Sequence, residues 1–159
     1  NFADRQQITG SSVTATGDNR TATSEAGEPN PAGVSGSKSV WWTWAAPSTG
    51  QFTINTSGSS FDTTLGVYTG SSVTSLQLVA ENDDADYDAG NLTSQVTINA
   101  VAGTKYQIQV NGYEGASGDI TLRVNSAATT FTRRPAIPRR DAVLIDSAFR
   151  SYAELARRM

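Results

Sequence analysis

Lys38–Gly70, KSVWWTWAAPSTGQFTINTSGSSFDTTLGVYTG, holds all three tryptophans and decides how the chain is read. In Val40-Trp41-Trp42-Thr43-Trp44-Ala45, alternation along a strand puts Val40, Trp42 and Trp44 on one face. Pro47-Ser48-Thr49-Gly50 is a turn, because proline presets φ and glycine tolerates a positive one. Phe52 and Ile54 then alternate with Gln51, Thr53 and Asn55, and Leu65 and Val67 alternate after Phe61-Asp62-Thr63. A tryptophan pair at period two is a large apolar payload for one strand, so these aromatics are expected to fill a β-sandwich. Trp41 falls on the opposite face, and a second reading makes it an exposed platform for a sugar or a protein partner.

The rest of the chain extends the pattern. Asn1–Gly10 is a lead-in whose Phe2 and Ile8 are expected to cover one end of the sandwich. Ser11–Thr16 alternates weakly around Val13 and Ala15. Thr21–Gly36, with two prolines and three glycines, is too rich in breakers for an internal strand. Ser75–Glu81 is expected to point Leu76 and Leu78 inward. Val96, Ile98 and Ala100, then Tyr106, Ile108 and Val110, then Ile120, Leu122 and Val124 mark three further strands. Eight or nine short strands with turn signals between them and no intervening helix predict an all-β fold. The expected architecture is an antiparallel, jelly-roll-like sandwich over residues 1–126, each sheet with one dry and one wet face.

Residues 127–159 differ in kind. Thr132–Arg140, TRRPAIPRR, lies in a basic, proline-spaced linker (127–140) that is expected to run extended. From Asp141 the apolar period becomes helical: Ile145, Phe149, Tyr152 and Leu155 share a stripe over 141–159. That stripe is expected to dock on the sandwich or on a neighbouring subunit.

Charge follows the same division. Residues 1–126 carry five basic and twelve acidic side chains, hence -7; residues 127–159 carry seven and three, hence +4, which sum to the chain's -3. An acidic main domain argues against nucleic acid, whose phosphates need a basic surface. With no cysteine and no histidine among its 159 residues, the chain cannot build disulfides, most zinc sites or any histidine-based catalytic unit. No apolar run approaches the ~20 residues of a membrane span. A chain that begins at Asn1 reads as a processed product or a fragment. Abundant Ser, Thr, Gly and Asn with only two lysines suits a secreted or cell-surface protein.

The acidic loop Asn82-Asp83-Asp84-Ala85-Asp86-Tyr87-Asp88 is the candidate metal site. Calcium needs six to eight oxygens at once, and Asn82, Asp83, Asp84, Asp86 and Asp88 supply five oxygen-bearing side chains in seven residues. Glu25 and Glu28 are further candidate ligands if the Thr21–Gly36 loop lies alongside. The spacing is not that of an EF-hand, since no closing glutamate follows. Asp62 reads instead as a turn-former bonding local amides. The carboxylates pair with no recognisable second catalytic group, and no enzyme activity is expected.

Several motifs recur in a known order. They are Asn1-Phe2-Ala3, Thr23-Ser24-Glu25-Ala26-Gly27-Glu28-Pro29, Ser39-Val40-Trp41-Trp42-Thr43-Trp44 and Phe61-Asp62-Thr63-Thr64-Leu65-Gly66-Val67-Tyr68-Thr69-Gly70. Asn82-Asp83-Asp84, Ala102-Gly103-Thr104-Lys105-Tyr106 and Gly118-Asp119-Ile120-Thr121-Leu122 follow. In this order they resemble the bacterial pre-peptidase C-terminal domain. The resemblance implies a non-catalytic β-sandwich serving secretion, localisation, adhesion or substrate contact. Related collagenase modules bind calcium through acids near the N-terminus and ahead of the central strand. Here Gly33-Val34-Ser35-Gly36-Ser37 has no acid, a departure that speaks against that site and against collagen binding. Two functions are carried forward: an extracellular binding or assembly module, and a targeting module that presents Trp41, Tyr87 or Tyr113 to polysaccharide or matrix protein.

Overall fold

The computed structural model describes residues 1–127. Nine strands form two sheets: β1 (Gln6–Thr9), β2 (Ser12–Asp18), β3 (Val40–Ala45), β4 (Gly50–Asn55), β5 (Thr63–Thr69), β6 (Gln77–Asn82), β7 (Gln95–Ala100), β8 (Lys105–Gly112) and β9 (Asp119–Ser126). One sheet has the order β1-β3-β8-β5-β6 and the other β2-β9-β4-β7. All pairs are antiparallel except β1–β3, in which Gln7 lies opposite Thr43. Among the described residues, no helix is long and apolar enough to cross a membrane. The predicted linker and helix, with Ile145, Phe149, Tyr152 and Leu155, lie outside the described residues.

Alternation builds the core between the sheets. Trp42, Trp44, Leu65, Val67, Ile108 and Val110 from the five-stranded sheet meet Phe52, Ile54, Val96, Ile98, Leu122 and Val124 from the other. Trp44 packs on Phe52 with ring centres 4.7 Å apart, and its indole N–H donates to the Gly10 carbonyl at 2.9 Å.

The expectation of one wet face per sheet holds for the four-stranded sheet, where β7 alternates exposed and buried residues. It fails for the five-stranded sheet, where β5 and β8 are buried on both faces. The cause is tertiary. The N-terminal segment and the loop between β2 and β3 lie on the sheet's outer face, where Phe2, Trp41 and Tyr68 form a second apolar cluster. Trp41 is therefore no platform: it is 1% exposed and meets Phe2 edge-on at 5.0 Å. Its indole N–H donates to Glu28 Oε1 at 3.0 Å, and Gln109 Nε2 donates to the Pro29 carbonyl.

Leu78 also departs from expectation, being 54% exposed. A bulge shifts the β5–β6 register between Val67 and Tyr68, leaving Leu78 opposite Tyr68 on the outer side of an edge strand. Leu76 packs against the outer cluster instead.

Candidate functional sites: an acidic cluster and a polar cleft

Where β5 begins, three hydroxyls pin the two sheets together. Thr56, Thr63 and Ser94 are fully buried. Thr63 Oγ1 lies 2.6 Å from Thr56 Oγ1 and 2.9 Å from Ser94 Oγ, while Ser94 Oγ donates to the Thr63 carbonyl. Thr63 has the parity of Leu65 and Val67, so it points into the sandwich. The neighbours on either side of it, Asp62 and Thr64, are thereby turned to the outer face. The Thr63 N–H donates to the Leu92 carbonyl and the Ala85 N–H to the Thr93 carbonyl, which ties down the loop from β6 to β7.

That anchoring draws Asp83 and Asp84 to Asp62. One carboxylate oxygen from each lies within 4.8 Å of the others. Asp62 Oδ1, Asp83 Oδ1 and Asp84 Oδ1 are shut off from solvent and accept no hydrogen bond. Burial, then the charges of Asp84 and Asp83, push the Asp62 carboxyl above the usual carboxylate range; burial and Asp84 do the same to Asp83. The phenol of Tyr113 is raised as well, first by Glu114, then by burial and the three aspartates.

Of the sequence candidates, only Asp83 and Asp84 join this group. Asn82 Oδ1 accepts the Gln95 N–H at 2.8 Å, and Asp86 Oδ1 accepts the Ala89 N–H at 3.1 Å. Asp88 is exposed. Glu25 accepts the Phe2 N–H and Glu28 the Trp41 indole, so both hold the outer covering in place. Asp62, read from the sequence as a local turn-former, is the member that reasoning missed. Twenty-one positions separate it from Asp83, and only the β5–β6 register brings them together.

A second feature lies on the same face. Gln7, Thr43, Gln107 and Tyr68 form one cross-strand row over β1, β3, β8 and β5. Arg5 Nε donates to Thr43 Oγ1 at 2.9 Å, Thr43 Oγ1 to Gln107 Oε1 at 2.6 Å, and Gln107 Nε2 to the Gly70 carbonyl at 3.1 Å. Arg5 also donates to the Phe2 carbonyl and stacks its guanidinium 4.1 Å over the Phe2 ring. These groups floor a cleft of about 530 Å³, with Lys105 and Ser71 on its wall. Among the described residues the only ion pairs join Arg20 to Asp18 and Asp119, so neither Arg5 nor Lys105 has a carboxylate partner.

Residues 38–112 match the family model of the bacterial pre-peptidase C-terminal domain. The matched stretch runs from just before β3 to the end of β8. The chain is similar to the 1.0 Å crystal structure of the pre-peptidase C-terminal domain of collagenase from Bacillus anthracis, with a TM-score of 0.50 and 17% identity. That alignment covers 77% of this chain and 95% of the collagenase domain. A periplasmic inhibitor of g-type lysozyme from Aeromonas hydrophila aligns at TM-score 0.48 and 16% identity, over 77% of this chain and 96% of the inhibitor. No curated protein matches the chain.

Proposed function

We propose that this chain is a non-catalytic binding module of a secreted or surface-exposed bacterial protein, and that the polar cleft holds its ligand. The observation that carries this reading is the relay from Arg5 through Thr43 and Gln107 to the Gly70 carbonyl. A nucleophilic hydroxyl needs a base at hydrogen-bond distance. Thr43 instead donates to a neutral amide and accepts from a guanidinium, an arrangement that stiffens the floor and activates nothing. Arg5 retains unused donors in a fixed fork, and Lys105 adds a second positive charge. Together they suit a polysaccharide or matrix-protein segment that carries carboxylates among hydroxyls.

Retention of the full chain on immobilised polygalacturonate and on neutral dextran tests the reading. The wild type is expected to be held by the acidic polymer, and a Gln7→Glu, Lys105→Glu variant to be released. Both positions are exposed, so folding should be unaffected; circular dichroism checks this. Equal retention of the two proteins, or none of the wild type, would overturn the assignment of the cleft.

Assembly is a second reading, supported by the opposite charges of residues 1–126 and 127–159. Sedimentation of the full chain beside one ended after Ala127 decides it. A larger mass for the full chain alone supports assembly through the tail, and two monomers at micromolar concentration would refute it.

A further inference from the structure

We propose that Asp62, Asp83 and Asp84, with Thr64 beside them, form a calcium-binding site at the start of β5. One oxygen of each carboxylate lies within 4.8 Å of the others, and one oxygen of each is shut off from solvent and accepts no hydrogen bond. No arginine or lysine pairs with them among the described residues. Three like charges held this close favour a cation between them, because the buried oxygen of each would otherwise forgo both solvation and a partner.

Thr64 supplies the independent observation. It is 0% exposed and its Oγ1 has no hydrogen-bond partner. The Tyr113 N–H donates to the Asp62 carbonyl at 3.0 Å, carrying the β5–β8 ladder one step beyond Thr63. Asp62 is thus extended and shares its outer face with Thr64. Across the sheet, Leu65 pairs with Asn82, which sets Thr64 opposite Asp83, at the usual cross-strand separation of about 5 Å. The unpartnered Thr64 hydroxyl thus belongs to the same face and register as the Asp62 and Asp83 carboxylates.

The donor set selects the ion. All four groups offer oxygen, and the chain has no cysteine or histidine to add a softer ligand. Calcium, at 2.3–2.6 Å from its ligands, accepts oxygens up to about 4.6–5.2 Å apart, which spans this group as it stands. Magnesium is limited to about 4.0–4.2 Å and asks for a tighter octahedral set. The site lies away from the acid-free segment Gly33–Ser37, where the collagenase-type resemblance would have put one. Its consequence is mechanical: calcium would tie the β6–β7 loop to the first residues of β5.

Metal-free full chain titrated with calcium chloride tests this by calorimetry and by thermal melting. The melting temperature is expected to rise with calcium up to about 1 mM, the range of extracellular modules. Asp83→Asn and Asp84→Asn are each expected to weaken binding more than about tenfold, while Asp88→Asn leaves it unchanged. Without calcium the order should reverse, the two neutralised variants melting above the wild type because the repulsion is relieved. A wild type that gives neither heat nor a melting shift would overturn the site. So would a response retained in both Asp83→Asn and Asp84→Asn or lost in Asp88→Asn, and a magnesium response as strong as calcium's would overturn the choice of ion.

Discussion

Replacing Trp41 separates a buried anchor from a surface platform. The indole is 1% exposed, meets Phe2 edge-on at 5.0 Å and Tyr68 at 5.9 Å, and donates to Glu28 Oε1 at 3.0 Å. Trp41→Ala empties the centre of the outer cluster, and truncations of this kind cost about 3–5 kcal/mol. Against a domain stability of about 5–15 kcal/mol that is a large loss. With a urea m value of about 2 kcal/mol/M, the unfolding midpoint should fall by about 1.5–2.5 M. Trp41→Phe keeps a ring on Phe2 but withdraws the N–H. Glu28 Oε2 already has no partner, so the carboxylate loses a buried donor, at a cost of about 1–3 kcal/mol. Urea unfolding followed by far-UV circular dichroism reads both variants, since it does not rely on the altered fluorophore. A Trp41→Ala change within about 0.5 kcal/mol, the usual range for exposed sites, would refute the clothed outer face.

The other predictions probe the same construction from different sides. Thr63→Val preserves shape but strips the hydroxyl that Thr56 and Ser94 share; it should cost about 1–3 kcal/mol in urea unfolding, and a neutral result would contradict the inter-sheet pin. Gly66→Ala would bring a Cβ within 2.7 Å of the Tyr68 ring; a loss of about 1–3 kcal/mol is expected, largely absent in a Tyr68→Ala background because the two sites couple. A loss that simply adds to that of Tyr68→Ala would deny the contact. Asp18 is held below the usual carboxylate range first by its backbone bond to Arg20, and Asp119 first by the Arg20 side chain. Carboxyls depressed in the folded state stabilise it above the unfolded pKa of about 3.9 and lose that contribution as pH falls through the folded value. Low-salt urea midpoints should therefore drop below about pH 4, less steeply in Arg20→Gln, and identical profiles would remove the pair from the account.

The inner face of the sandwich was legible because period two needs nothing but the strand. Trp42, Trp44, Ile108 and Leu122 lie where alternation puts them. The outer face was not, because Thr64, Gln107, Gln109 and Asn111 are polar and read as wet, whereas all four are buried. Their burial comes from a loop whose composition says only that it is not a strand. The same loop explains Glu28, which looked like a metal ligand and serves Trp41 instead. β1 escaped notice because Gln6–Thr9 holds a single apolar residue and pairs in parallel with a strand 36 positions on. Asp62 was hidden by distance along the chain, although density of charge alone had marked Asp83 and Asp84.

A crystal structure of the full chain grown with calcium is the most direct measurement of what the start of β5 is for. It should show one ion about 2.3–2.6 Å from an oxygen of each of Asp62, Asp83 and Asp84, with Thr64 turned toward it. An ion held by Asp86 and Asp88 instead, or three carboxylates turned apart in solvent with no ion between them, would contradict it.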